Sequence, residues 1–410
     1  MMDMADASDL GFDRERLERI GALLKNSYVD PGRLPNAEVL VAREGRPVYH
    51  AAFGTLNAQG DALPENALFR IASMTKPVTS IAFMQLVEEC KVALEEPIAR
   101  VLPEFASAGV YTGGGGAAPF ARPRPARQIR FVDLLTHMAG LTYGLQNRTN
   151  VDAAYREQKL DLPRDLGSDE YIAKLAKLPL QQEPGERWNY SVATDVLGVA
   201  VERISGKKLG DYFQEHIFSP LGMSETGFDL DEASRGRLVD SYALAPGGAM
   251  MLAERGAESV HFQPSAFHSG GGGLVSTAAD YHRFCAMLLG GGSLDGARIV
   301  SPKTLHLMTA NHLPDGADLA QMSDALFSEA TNAGTGFGLG FAVVTDPART
   351  LMPASRGEFY WGGAYSTAFF VDPVERITMV FMPQLYPSTS YPIRRQLKTL
   401  IYSALTSSHA

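Results

Sequence analysis

Strand-like segments stand at both ends of this chain, and helix-like segments fill the stretch between them. Near the N-terminus, Val39–Ala42 and Pro47–Ala51 are short β-like runs joined through Glu44-Gly45-Arg46, which predicts a hairpin. Three more such runs come late: Phe337–Val344, Thr367–Val371 and Arg376–Met382. Because strands from the two ends have no other partners, we expect them to pair in one sheet.

The segments around and between these strands have helical spacing of apolar residues. Helices are predicted over Phe12–Asn26, Phe131–Met138, Ser168–Lys177, Ala193–Ile204, Leu209–Phe218, Ala278–Leu289 and Tyr391–Leu405. The fold class that follows is α+β, an α/β sandwich: an antiparallel sheet from N- and C-terminal strands flanked by helices, with an inserted mainly helical lobe. We expect residues 1–85 and 267–410 to form a discontinuous α/β domain and residues 86–266 a mainly helical one. A Gly- and Pro-rich stretch, Gly113–Arg127, predicts a long loop.

Composition narrows the class of protein. Of the 410 residues, 45% are hydrophobic and 20% charged, as in ordinary soluble domains, and the net charge is -9. No basic stripe interleaves with aromatic residues, so we expect no nucleic-acid partner. No apolar run approaches the ~20 residues needed to cross a bilayer, and the polar N-terminal residues contain no signal-like core. We therefore expect a cytoplasmic protein without a membrane partner, with Cys90 and Cys285 as buried thiols and not a disulfide.

The tetrapeptide Ser73-Met74-Thr75-Lys76 is the strongest chemical signal. Residues at i and i+3 leave the same side of a helical turn, so an amine can lie within hydrogen-bond reach of a hydroxyl. Apolar spacing from Val78 onward predicts a helix, and Pro77 requires that helix to begin close to Ser73. Lys76 could then act as the general base for a Ser73 nucleophile, with backbone amides at the helix start ready for an oxyanion. The alternative is that Ser73 merely caps the helix.

Other catalytic motifs are absent from the sequence. There is no G-x-S-x-G, and no phosphate-binding glycine motif, H-E-x-x-H or C-x-x-C. We therefore expect neither zinc nor phosphate chemistry, and no cofactor or metal.

Four segments occur in an order and spacing that resemble a known family: Phe69–Pro77, Asp133–Leu141, Trp188–Ser191 and Trp361–Gly363. The chain is similar to family VIII carboxylesterases, which resemble class C β-lactamases, penicillin-binding proteins and the acyltransferases of statin biosynthesis. The resemblance covers nearly the whole chain. It implies the β-lactamase/transpeptidase-like fold and a small-molecule ester as substrate.

The resemblance also implies roles for single residues. Tyr190 would be the third catalytic residue beside Ser73 and Lys76, passing a proton to the leaving group. The amides of Ser73 and Ala364 would form the oxyanion hole, and Trp361, Gly362 and Gly363 would border the substrate. The alternatives are that Tyr190 and Trp361 are packing residues and that the glycines mark a bulge. His137 is expected to be structural, and the glycines at 270–273 to form either a loop passing the site or a plain turn.

The sequence departs from the β-lactamase pattern at two places. Trp361-Gly362-Gly363 stands where β-lactamases carry K-T-G, and Tyr190-Ser191-Val192 replaces Y-x-N. Loss of that lysine disfavours substrates bearing the β-lactam carboxylate. The resulting prediction is hydrolysis of neutral carboxylic esters, with short acyl chains, through an acyl-enzyme on Ser73. The alternatives are an acyltransferase on the same site, a weak β-lactamase or D-amino peptidase, and a catalytically silent binding module.

Overall fold

The fold is described from a computed structural model that covers residues 3–116, 118–121, 124–125, 127–323 and 332–409. The predicted loop Gly113–Arg127 falls partly outside these residues. Among the helices of the described ranges, none combines the length and the apolar character that a membrane span requires.

The helices and strands alternate along the chain in blocks. The helices are α1 (Arg14–Leu23), α2 (Thr75–Glu88), α3 (Phe131–Leu135), α4 (Asn150–Glu157), α5 (Ser168–Leu175), α6 (Ala193–Ser205), α7 (Leu209–Phe213), α8 (Ser219–Leu221), α9 (Ala278–Leu289), α10 (Pro302–Met308), α11 (Leu319–Met322), α12 (Pro347–Thr350) and α13 (Ile393–Ser403). The strands are β1 (Asn36–Arg43), β2 (Arg46–Gly54), β3 (Phe69–Arg70), β4 (Gly109–Val110), β5 (Arg124–Pro125), β6 (Ser241–Leu244), β7 (Met250–Glu254), β8 (Val275–Ser276), β9 (Ser293–Leu294), β10 (Ala297–Arg298), β11 (Thr335–Phe337), β12 (Ala342–Val344), β13 (Phe359–Gly362), β14 (Ala368–Asp372), β15 (Ile377–Met382) and β16 (Leu385–Tyr386).

The main sheet joins the two ends of the chain, as predicted. Within the described residues it has seven strands in the order β11-β12-β13-β14-β15-β1-β2, and each neighbouring pair is antiparallel. The hairpin β1–β2 pairs with β15 through β1, so that Leu40 lies opposite Val380. The α+β class and the antiparallel sheet from N- and C-terminal strands are thus confirmed.

The prediction of a single strand over Phe337–Val344 is wrong. The segment is two strands, β11 and β12, joined by a tight turn. Gly340 in this turn has a φ of +97°, a conformation that suits glycine and bends the chain back. An apolar sequence pattern does not distinguish such a hairpin from one continuous strand.

Both faces of the main sheet are covered, because alternate residues of its central strands enter different cores. On β15, Met379 and Phe381 pack with α1 and α13, whereas Val380 and Met382 enter the larger core that includes α2, α6 and α9. The terminal helices therefore cover one face. The other face supports α2, the helix that carries the Ser73 motif.

The helices predicted in the middle segment are present, with some ends differing from the prediction: α5 ends at Leu175 and not at Lys177, whereas α6 extends one residue further, to Ser205. Helix α3 ends at Leu135 and not at Met138, because the chain turns at His137, which has a φ of +55°. Strands β6 and β7 also lie in this segment and pair with each other, and β6 pairs in addition with β16 from the C-terminal part. The domain bounds at residues 85 and 267 stay a prediction. Both cysteines are free thiols, as predicted. The prediction that both are buried is wrong for Cys90, which is exposed because it follows the end of α2, whereas Cys285 is buried.

Candidate active site

Ser73 lies on a strained turn between a short strand and a buried helix. Strand β3 ends at Arg70, a 3₁₀ turn runs over Ala72–Met74, and α2 follows directly. Ala72 has a φ of +46°, an uncommon conformation for a residue with a Cβ and one that often occurs at functional sites. Ile71 and Met74 occupy the cap positions of the turn and of α2. Ser73 is therefore not the cap of either helix, and its side chain remains partly exposed.

Lys76 is one turn further and almost fully buried, with 2% of its surface exposed. Its Nζ lies 3.4 Å from Ser73 Oγ, as the i, i+3 spacing predicts. The same Nζ donates to the Gly271 carbonyl at 2.5 Å and to the Tyr143 hydroxyl at 3.0 Å. These contacts hold the amine beside the serine hydroxyl, where it can exchange a proton with it.

Two tyrosines, not one, lie next to this amine. Lys76 Nζ is 4.7 Å from the centre of the Tyr190 ring, and the Tyr190 and Tyr143 rings are 5.3 Å apart. Burial raises the pKa of the Tyr143 hydroxyl well above its ordinary value, an effect that the carboxylate of Asp195 reinforces. Tyr143 is therefore a neutral phenol that can donate a hydrogen bond or relay a proton.

Further aromatic side chains pack against the two tyrosines. The rings of Trp188 and Trp361 pack around Tyr190 and Phe337 at centroid distances of 5.4 to 6.1 Å. His137 is buried against the Tyr190 ring at 4.9 Å. Burial, together with the charge of Lys76, lowers the pKa of His137 well below its usual range. A neutral, buried imidazole between aromatic rings fits the structural role expected for it.

The segment Gly362-Gly363-Ala364 closes the site from the sheet side. A Cβ on Gly363 would come within 2.4 Å of the Ile71 carbonyl oxygen and 2.2 Å of the Thr367 hydroxyl. The Thr367 hydroxyl in turn donates to the Ile71 carbonyl at 3.2 Å. Glycine is thus required here because β13 touches the turn that carries Ser73. The sequence predicts that these glycines border the substrate. In the described structure, Gly363 lies against the protein's own backbone.

Replacing Gly363 by Ala should lower the free energy of unfolding by about 1–3 kcal/mol, because the added methyl group has to displace backbone. Esterase activity should fall with it, since the turn that carries Ser73 has to move. Chemical denaturation compares this variant with Gly236→Ala, a control at which a Cβ meets no atom within 4 Å. Equal stability of the two variants would contradict the close contact.

The glycine run at 270–273 forms a loop that passes the site between α2 and α6. The Gly271 amide donates to Asp195 Oδ1 at 3.0 Å, and the Thr79 hydroxyl donates to the Gly270 carbonyl at 2.7 Å. Because Lys76 binds the Gly271 carbonyl, the loop is part of the surroundings of the amine and not a free turn.

A cavity of about 390 Å³ lies among these elements and extends along the sheet to Glu358 and Lys398. Every predicted site residue except the buried Lys76 lines it: Ser73, Tyr190, Trp361, Gly362, Gly363 and Ala364. Sequence reasoning missed Tyr143 and Asp195. Tyr143 follows the recognised segment Asp133–Leu141 by two residues, which is the one signal that could have pointed to it. In the described part of the chain, no cluster of three or more His, Cys, Asp or Glu residues could hold a metal ion.

Comparison with known proteins identifies the family. The beta-lactamase family model matches residues 24–402. Protein Rv1367c of Mycobacterium tuberculosis is 40% identical over 335 residues, covering 81% of this chain and 80% of that protein. Esterase EstB of Burkholderia gladioli is 32% identical over 395 residues, covering 90% and 91%.

A solved structure, that of EstCE1, is described as a hydrolase with promiscuous acyltransferase activity. It superposes with a TM-score of 0.76 at 27% identity, over 95% of this chain and 98% of EstCE1. The family model thus matches almost the whole chain, including the turn that carries Ser73, the buried lysine and the antiparallel sheet. The chain belongs to the beta-lactamase family.

Proposed function

We propose that this protein is a serine carboxylesterase of the family VIII type, acting through an acyl-enzyme on Ser73. The observation that carries the proposal is the placement of Lys76 Nζ 3.4 Å from Ser73 Oγ, beside a cavity that Ser73 lines. The similarity to Esterase EstB and to the hydrolase EstCE1 supports the same reaction class.

The reaction follows from the positions of these groups. Lys76 takes the Ser73 proton while Oγ attacks the ester carbonyl, and the amides of Ser73 and Ala364 receive the oxyanion. The proton then passes from the Lys76 ammonium, through Tyr190 or Tyr143, to the departing alkoxide. Water attacks the acyl-enzyme in the second half, with the same groups working in reverse.

Beside Ser73 the cavity lining is largely aromatic, which fits a neutral, apolar acyl group. Tyr143, Trp188, Tyr190 and Trp361 present aromatic surface to it, and no lysine stands at the K-T-G position. Neutral esters with short acyl chains are accordingly the proposed substrates. We place the enzyme in the cytoplasm, acting without a cofactor.

Turnover of p-nitrophenyl acetate and butyrate by the purified protein tests the proposal, with nitrocefin as the β-lactam comparison. We expect ester hydrolysis and little or no nitrocefin cleavage. Nitrocefin turnover without ester turnover would instead identify a β-lactamase. Neither activity, together with failure of an organophosphonate to label the protein, would indicate a silent binding module.

Acyl transfer is the second candidate, because EstCE1 is described as having promiscuous acyltransferase activity. An alcohol would then replace water in attack on the acyl-enzyme. Product analysis in the presence of a competing alcohol separates the two outcomes: a hydrolase releases mainly free acid, whereas a transferase releases mainly the new ester.

Phenylalanine substitutions test which phenol moves the proton. Tyr190→Phe and Tyr143→Phe should each lower kcat by about 10²-fold, because each removes the hydroxyl of a ring next to Lys76 while retaining the ring. The measurement is kcat for p-nitrophenyl butyrate, with Tyr111→Phe as a control outside the cavity lining. If one variant keeps full kcat, the other tyrosine alone serves as the proton relay.

A further inference from the structure

Asp195 is a fully buried acid that the proposed reaction does not use. It lies in the first turn of α6, and its exposed fraction is 0%. Its Oδ1 accepts hydrogen bonds from the Ser269 hydroxyl at 2.5 Å and from the Gly271 amide at 3.0 Å. Its Oδ2 is buried with no hydrogen-bond partner among the described residues. A buried carboxylate oxygen left without a partner is costly, so another interaction must compensate it.

A single residue connects this carboxylate to the catalytic amine. The amide of Gly271 binds Asp195, and the carbonyl of Gly271 binds Lys76 Nζ at 2.5 Å. A Cβ on Gly271 would come within 2.3 Å of Asp195 Oδ2, so that only glycine lets the loop lie this close. The acid and the amine are therefore fixed on either side of one peptide segment.

Charge explains how the acid is tolerated. Burial raises the pKa of Asp195, and the positive charge of Lys76 opposes that effect. The positive end of the α6 dipole also favours a carboxylate in the first turn. A buried carboxylate and a buried ammonium each make the charge of the other less costly.

Other titratable groups face this pair but do not supply a positive charge. Burial keeps the imidazole of His137 neutral, as described above, and Asp161 repels a charge on Asp195. The remaining facing groups are phenols: Tyr143, Tyr171 and Tyr190. Lys76 is thus the cation that acts on Asp195 in the described part of the site.

We propose that Asp195 is a positioning residue for Lys76: it fixes the Gly271 carbonyl against the amine and provides the buried negative charge opposite it. The proposal rests on the proposed function for its catalytic meaning. When Lys76 takes the Ser73 proton, an ammonium forms beside an existing carboxylate. Asp195 keeps its negative charge throughout, so the proton stays on Lys76 until it leaves for the alkoxide. The acid thereby stabilises the ammonium that forms, much as a buried aspartate stabilises the imidazolium of a Ser-His-Asp site.

Asp195→Asn tests this role through the pH dependence of kcat/KM. Without the negative charge of Asp195, a positive charge at the site is less well stabilised. The ascending limb of the pH profile should therefore move to lower pH by about one unit or more. The plateau should fall by about 10–100-fold, because the positive charge that forms when Ser73 loses its proton is less well stabilised. A limb that stays at the wild-type pH would overturn the proposal, whatever the loss of rate.

Asp280→Asn is the matched control. Asp280 is also the third residue of its helix, α9, and it also accepts a hydroxyl and a backbone amide from a distant segment, those of Thr226 and Glu225. It has no contact with Lys76 among the described interactions. We expect this control to keep the wild-type pH of the ascending limb and the wild-type plateau value of kcat/KM. The comparison separates loss of a charge near Lys76 from loss of a buried carboxylate in general.

A second measurement does not depend on catalysis or on the folding of Asp195→Asn. In Lys76→Met the acid loses its counter-charge, so it should take up a proton at a higher pH than in wild type. Infrared spectroscopy should then show the carbonyl band of a protonated carboxyl group, absent from wild type and from Lys76→Met/Asp195→Asn. No new band in Lys76→Met would refute the pairing. If wild type shows no esterase activity but the band appears, the proposed function fails and the pairing stands.

Discussion

Replacing Ser73 by Ala is expected to lower kcat/KM for p-nitrophenyl butyrate by about 10⁴-fold or more, because the acyl-enzyme can no longer form. The substitution removes a single oxygen from a partly exposed side chain. The strained φ of +46° belongs to Ala72 and is unchanged, so the melting temperature should stay near that of wild type. The loss would thus report chemistry and not misfolding.

Ser205→Ala is the control for this substitution, since Ser205 ends α6 away from the cavity and its hydroxyl donates to a carbonyl within the same helix. We expect wild-type kcat/KM from it. Full activity in Ser73→Ala would contradict the assignment and require another nucleophile.

Replacing Lys76 by Met should lower kcat/KM by about 10³-fold or more, because Ser73 then has no base within reach. Methionine keeps the length and the apolar stem of the side chain, which suits a residue that is 2% exposed. The acyl-enzyme should still form slowly, so a single-turnover experiment should show a slow step of acylation.

Lys76→Arg separates the base from the charge. The guanidinium keeps a positive charge and hydrogen-bond donors but does not give up its proton at these pH values. We expect this variant to be as impaired as Lys76→Met, with Lys174→Met, which breaks an exposed ion pair with Glu170, as a control of wild-type activity. If Lys76→Arg retains most of the activity, Lys76 stabilises charge and another group is the base.

Much of the fold could be predicted, because burial of both sheet faces requires particular residues at particular spacings. The runs that became β1, β14 and β15 are short and apolar, and helix α9 has the bounds that its periodicity predicts. The break between β11 and β12 was not predicted, since it depends on Gly340, whose φ of +97° is a property of the turn and not of the apolar pattern.

The site could be predicted from the residues only where the catalytic side chains lie close together in the sequence. Ser73 and Lys76 are three residues apart, and one helical turn fixes their geometry. Tyr143 and Asp195 come from elements far along the chain. Tyr143 reaches the amine from the segment after α3, and Asp195 reaches its surroundings only because α6 and the glycine loop pack onto α2. The positive φ of Ala72 is likewise not predictable from an alanine, because the surrounding structure imposes it.

Labelling with an organophosphonate, followed by intact mass measurement and peptide mapping, tests the central claim most directly. One adduct per chain on Ser73, absent from Ser73→Ala and formed much more slowly in Lys76→Met, is the result that the account predicts. An adduct on another residue, together with undiminished ester turnover in Ser73→Ala, would contradict it.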